Sequence, residues 1–387
     1  MPQPREAPGR EEARARLNPA LLRWARESAG YSLEEAAKAI GVSAERLIAA
    51  EAGSWQITLR QAEKAAHRYE RPMATFYLPE PPHEETAAKQ YRRLPDSPPP
   101  PWPKELRSLA RRVRERQSDT VELYELLEEP PPWPTRSFGR GLGADRAAEL
   151  VRAALGVSID EQRGWRDRTG YKPLRRWLDA VEALGVLVIQ DGAIPLTLAR
   201  GFASVDPIVP AIVLNTEDDA RARIFTLFHE FGHLLTGSVP RDDTAEGWCD
   251  SFSASILMPA AEFTADFEAI SDDHDLPHAI DAVASTYGVT PDAAAVRVGR
   301  LDLAPFAEVR NVRQFIAKRG EAARRDGSGG GDYYRTQLAR TSPSFAALVF
   351  AALDGQALTY SAASRLLNVK VNNFGRFRSA ITSRSAG

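Results

Sequence analysis

Ile224-Phe225-Thr226-Leu227-Phe228-His229-Glu230-Phe231-Gly232-His233-Leu234-Leu235 decides how the rest of this sequence is read. On a helix of 3.6 residues per turn, His229 and His233 share a face one turn apart, so two imidazole nitrogens can take adjacent corners of a Zn²⁺ tetrahedron. Glu230 then flanks the metal without ligating it, where its carboxylate can take a proton from metal-bound water. Ile224, Phe225, Leu227, Phe228, Phe231, Leu234 and Leu235 make the helix apolar almost all round, the mark of a buried helix. Two His and a Glu in such a helix need a partner, and a metal is the simplest one. A chance match in a solvated helix would place them on a polar face, which is missing here. Gly232 leaves room for another backbone to come close.

Zinc needs a third protein ligand and an open fourth position. Downstream lies Glu246-Gly247-Trp248-Cys249-Asp250-Ser251-Phe252-Ser253-Ala254-Ser255-Ile256-Leu257-Met258-Pro259, a second apolar helix ended by its proline. Glu246 and Asp250 are four residues apart and share a face. If this helix packs on the first, Glu246 can complete the site and Asp250 can hold the free N–H of a ligating histidine. Asp250, Glu262 and Cys249 are the rival third ligands, and Cys249 also reads as a small buried hydrophobe.

These segments, together with Ala211-Ile212-Val213-Leu214-Asn215, resemble the ImmA/IrrE metallo-endopeptidases that carry an N-terminal helix-turn-helix. The resemblance covers roughly residues 15 to 300. It implies that His229, His233 and Glu246 bind one zinc per chain, that Glu230 is the base, and that the substrate is a protein such as a transcriptional repressor, cleaved in a stress or mobile-element response. Asp250 stands where the family usually has asparagine, which adds a negative charge beside the metal.

The 387 residues suffice for two or three domains, and 43% apolar with 26% charged is a composition with ample core. One cysteine excludes an intramolecular disulfide framework, and neither an N-terminal apolar stretch nor a membrane-length apolar run is present. A cytoplasmic protein without membrane contact is expected.

Residues 1–16 read as a frayed tail. From Asn18-Pro19 onward the chain reads as helices over Leu21–Glu27, Ser32–Ile40, Ser43–Glu51 and Leu59–Tyr69, with Gly41-Val42-Ser43 as the turn of an Xre/Cro-like helix-turn-helix. Its second element offers Ser43 and Arg46 to DNA, among Glu45, Ala44, Ala49 and Ala50. Residues 1–80 hold twelve Lys or Arg against eleven Asp or Glu, so operator binding competes evenly with a bundle kept for dimerisation or docking.

Pro79 to Pro103 reads as a linker stiffened into polyproline II, with Lys89-Gln90-Tyr91-Arg92-Arg93-Leu94 inside it resembling a short family segment. Lys104 to Leu127 has helical spacing, and Arg111, Arg112, Arg114 and Arg116 read as a salt-bridged solvated face. Past a second proline break at 130–134, helices over Ala144–Leu155 and Lys172–Leu184 precede strands at Val186–Ile189, Gly201–Val205 and Ala211–Asn215. An edge of that sheet could hold a substrate peptide. Around Asp272, Asp273, Asp275 and Pro277 a loop is expected, with His274 and His278 solvated rather than a second metal site, and a helix then runs from Pro291 to Leu301.

Residues 300–387 carry fourteen Lys or Arg against six Asp or Glu. Ser328-Gly329-Gly330-Gly331 reads as a turn, Phe345–Leu353 and Ser361–Leu367 as helices, and Thr359 to Val369 has helix-turn-helix spacing. This basic end is a second candidate for DNA, with docking on acidic surfaces as the rival. The expected architecture is α+β and mostly helical. It has a helix-turn-helix domain at 17–80, a linker and long helix at 81–135, a zincin-like metallopeptidase domain with a small sheet at 136–303, and a basic helical region at 304–387. The leading functional expectation is a zinc endopeptidase. A DNA-binding regulator whose peptidase-like domain senses metal or ligand without cutting is the rival.

Overall fold

The computed structural model describes residues 14–82, 103–133, 141–165, 167, 169–237, 243–323 and 333–385. The tail before Arg14, the segment Lys89–Leu94, most of the first proline linker, Pro134, Arg324, Arg325 and the Ser328–Gly331 turn lie outside them. Of the described residues, 14–82 and 103–112 form one unit and those from Val113 onward another.

In the first unit polar caps set the helix starts. Asn18 accepts from the Ala20 N–H at the head of α1 (Pro19–Ser28), and Ser32 and Glu35 form a capping box on α2 (Leu33–Ile40). Gly41 turns the chain through a left-handed residue, Ser43 caps α3 (Ala44–Glu51), and Thr58 with Gln61 boxes α4 (Leu59–Arg68). Leu22, Ala25, Ala36, Ile40, Leu47, Ala62, Tyr69 and Phe76 close the core, and Arg26 meets Glu51 at 2.7 Å within it. The start of α5 (Lys104–Leu127) corrects one expectation. Arg111 is buried and donates to the Tyr69 carbonyl at 2.7 Å, a place where a guanidinium satisfies a chain end rather than a solvated ion pair.

The second unit begins with the rear of α5, where Arg116 likewise departs from a solvated face: it donates to the Leu366 carbonyl at 2.7 Å and lies 4.0 Å over the Phe345 ring. Helices α6 (Ala144–Leu155), α7 (Ile159–Gly164) and α8 (Tyr171–Ala183) lead to strands β1 (Leu187–Asp191), β2 (Gly201–Ser204) and β3 (Ala211–Asn215). The strand order is β1-β3-β2, with β1 parallel and β2 antiparallel to the central β3. All three strands are fully buried, including the polar Gln190, Asp191, Ser204 and Asn215 at their ends. Gln117 of α5 ties the end of β2 by donating to the carbonyls of Ser204 and Val209.

Next come α9 (Ala220–Thr236), α10 (Asp243–Leu257), α11 (Ala260–Ser271), α12 (Leu276–Tyr287), α13 (Pro291–Arg300) and α14 (Phe306–Ala323). The C-terminal helices are α15 (Tyr333–Thr341), α16 (Pro343–Asp354), α17 (Tyr360–Leu367) and α18 (Phe374–Ser385), and α15 packs on β1. Trp177 of α8 stands edge-on between Trp165 and Phe228, with ring centroids 5.2 and 4.9 Å away, and so locks α8 to α9. The loop expected around Pro277 is short, Asp272 to Asp275, and lies between α11 and α12. Pro277 occupies the first turn of α12, where its missing N–H costs nothing, and Asp275 caps that turn.

Helix α10 stops at Pro259, which leaves its last carbonyls without helical donors. Three buried side chains supply them: Arg152 reaches Ile256 at 2.6 Å, Gln162 reaches Leu257 at 3.0 Å, and Arg297 reaches Met258 at 3.0 Å. Burial pushes the Arg152 guanidinium down to about 10, still charged at neutral pH. Replacing Gln162→Leu keeps the volume but strands the carbonyls of Leu257 and Tyr287, so stability should fall by about 1–3 kcal/mol in a urea titration. An unchanged midpoint would show that this cap does not hold the helix end.

Candidate metal centre

The site exists because α10 can lie directly on α9. A Cβ at Gly232 would stand 3.0 Å from the Cys249 sulfur and 3.4 Å from its Cα, so the crossing is tight and any larger residue would press on α10. The stacked rings of Phe231 and Phe252, 6.3 Å apart, and of Trp248 and Phe252, 5.4 Å apart, fill the rest of the crossing. From α9, His229, Glu230 and His233 are all buried. From α10, the half-buried Glu246 brings its carboxylate 3.3 Å from His229 Nε2 and 3.5 Å from His233 Nε2.

The two Nε2 atoms are 3.2 Å apart. In a zinc tetrahedron with bonds of ~2.0–2.1 Å, neighbouring ligand atoms are separated by ~3.3 Å, so the three donors stand at the spacing of its corners. Ligand atoms of His229, His233 and Glu246 all lie within 4.8 Å of one another, and no other such group occurs among the described residues. Two imidazoles and a carboxylate are a donor set suited to a divalent metal.

The rival ligands stand elsewhere. Asp250 Oδ1 lies 2.8 Å from His229 Nδ1, on the side of the ring away from Nε2, where the carboxylate can accept a proton carried by Nδ1. Cys249 Sγ lies 3.6 Å from His233 Nδ1, again on the side away from Glu246, and is fully buried. Glu262 sits on α11 outside the cluster. His274 and His278 are exposed, and His278 Nδ1 meets its own helix cap Asp275 at 2.6 Å.

Sequence reasoning missed Gly201, at the start of β2. A Cβ there would meet the Val213 carbonyl at 2.6 Å, the Thr226 methyl at 2.7 Å and the Glu230 side chain at 3.6 Å, so β2 passes close beside Glu230. A glycine opening a short apolar strand was the available signal. It also missed Arg152, Gln162 and Arg297, whose roles depend on contacts far apart in the chain. In the first unit, Ser43 and Arg46 are both exposed. The Ser43 hydroxyl accepts the Arg46 N–H, and the Arg46 guanidinium lies 5.7 Å over the Trp55 ring.

Residues 181–298 match the family model of the IrrE N-terminal-like domain. That stretch is an IrrE N-terminal-like domain. Residues 22–76 match the helix-turn-helix model. The IrrE N-terminal-like domain thus spans the end of α8 through α13, including the sheet and every residue of the His229, His233, Glu246 cluster. No curated protein matches the chain.

Because Gly232 is where the two metal helices touch, Gly232→Val should force α10 outward. The expected cost is about 1–3 kcal/mol in thermal unfolding, with a weaker hold on metal in chelator competition. A variant that melts and binds metal like the parent would contradict this reading of the crossing.

Proposed function

We propose that the chain is a zinc-dependent endopeptidase of the cytoplasm whose substrate is a DNA-binding repressor or similar regulator. The observation that carries this reading is the convergence of both Nε2 atoms with the Glu246 carboxylate beside the buried Glu230. His229, His233 and Glu246 would hold the zinc, which when bound supplies a Lewis acid that polarises a peptide carbonyl and acidifies water. Asp250 keeps the His229 proton on Nδ1 and so fixes the ring. The Glu230 carboxylate takes the proton of the attacking water and hands it to the nitrogen of the departing amine. Gly201 brings the backbone of β2 next to Glu230.

The ligand assignment is tested by zinc content. His233→Ala and Glu246→Ala should purify without zinc, whereas Asp250→Ala should keep it with affinity lowered ~10–100-fold. Zinc retained by Glu246→Ala and lost from Asp250→Ala would reverse the two roles.

The reaction is tested with Glu230→Gln, which should keep fold and zinc while cleavage falls by ~10²–10⁴. Comparing newly formed protein N-termini in cells expressing the parent or this variant reads that loss whichever protein is cut. Identical sets of termini would favour the rival reading, a regulator that senses metal and cuts nothing.

A further inference from the structure

The last helices repeat the N-terminal module in detail. Shifting the numbering by 327 lays Thr359 on Ser32, and both residues cap their helix by accepting the N–H three positions on, from Ala362 and Glu35. Asn368 falls on Gly41, and these are the left-handed residues that end α17 and α2. The next residue, Val369 or Val42, donates its N–H to the carbonyl of Ser364 or Ala37, again one matched pair. Core positions correspond as well: Ala363 with Ala36, Leu367 with Ile40, Phe374 with Leu47 and Phe377 with Ala50, all buried. An ion pair also ties the outer helices of each module, though not at matched positions: Arg26 meets Glu51 in the core of the first, and Arg378 meets Asp354, which falls on Glu27, at 2.8 Å on the surface of the last.

What differs is the outward face. Ser32–Glu51 carries two Lys or Arg against four Asp or Glu, while Thr359–Arg378 carries four Lys or Arg and no acid. Ser43, Glu45, Arg46 and Ala49 are replaced by Lys370, Asn372, Asn373 and Arg376. Lys370, Asn372, Arg376 and Ser379 are exposed, and the last three lie along one side of α18 and the turn that leads into it.

We propose that residues 343–385 form a second helix-turn-helix that binds duplex DNA, with α18 entering the major groove. A recognition helix reads base edges from its N-terminal turns, where asparagine pairs with adenine and arginine with guanine, while lysine at the preceding turn meets phosphate. Arg378 is held by Asp354, but Lys370 and Arg376 stand exposed in a stretch that carries no acid of its own, a surface that complements a polyanion as the acidic stretch Ser32–Glu51 does not. The inference stands apart from proteolysis, since none of these residues belongs to the metal cluster.

The test uses the full chain and a labelled mixed-sequence duplex about two helical turns long, followed by fluorescence anisotropy across a salt series. The double variant Lys370→Ala/Arg376→Ala should weaken binding at least ~10-fold and lower the slope of log affinity against log salt by about 2. The double variant Ser43→Ala/Arg46→Ala should change that slope by at most about 1, and Arg376→Lys should keep the parent slope. Unchanged melting and zinc content identify a folded variant. The proposal is overturned if the full chain does not bind duplex, if the α18 double variant binds like the parent, or if single-stranded RNA of equal length competes as well as the duplex.

Discussion

The structure depends on one close approach, that of α10 to α9 at Gly232. Two histidines on one helix give only two corners of a metal site, and the third must come from another element held to within a few tenths of an ångström. Glycine at 232 and the small Cys249 opposite let the helices come close enough for Glu246 to face both Nε2 atoms. The far end of α10 is then fixed by Arg152, Gln162 and Arg297, which close the carbonyls that Pro259 leaves open. Rigid placement at both ends of one helix makes a carboxylate from a distant part of the chain a reliable partner.

Most of this was legible in the residues. The apolar flanks of His229 and His233 fixed a buried helix, and the i, i+4 spacing of Glu246 and Asp250 placed both on one face of its neighbour. Caps announced the N-terminal helices, since Asn18, Ser32, Ser43 and Thr58 each sit where a chain must satisfy free N–H groups. Spacing alone could not separate Glu246 from Asp250, because that distinction lies in which side of the His229 ring each carboxylate meets. Nor could it find Gln117 or Gln162, whose partners are 87 to 125 residues away. The arginines of α5 misled for a similar reason: alternation with glutamate suggested surface pairs, yet Arg111 and Arg116 are used on backbone carbonyls.

The N-terminal helix-turn-helix and the C-terminal helices proposed as its counterpart differ in the charge of their outward residues, which shows how little the frame itself says about binding. Caps, a left-handed turn residue and four buried apolar positions recur in both, while the outward residues differ. Each module ties its outer helices by an ion pair, Arg26–Glu51 inside the first and Arg378–Asp354 on the surface of the last.

The central claim is that two imidazoles and one carboxylate hold the metal while Cys249 stands behind His233. X-ray absorption at the zinc edge of the loaded protein tests it most directly. Nitrogen and oxygen scatterers alone, with the imidazole outer-shell pattern of two histidines, are expected. A sulfur scatterer at ~2.3 Å would place Cys249 in the coordination sphere and contradict the account.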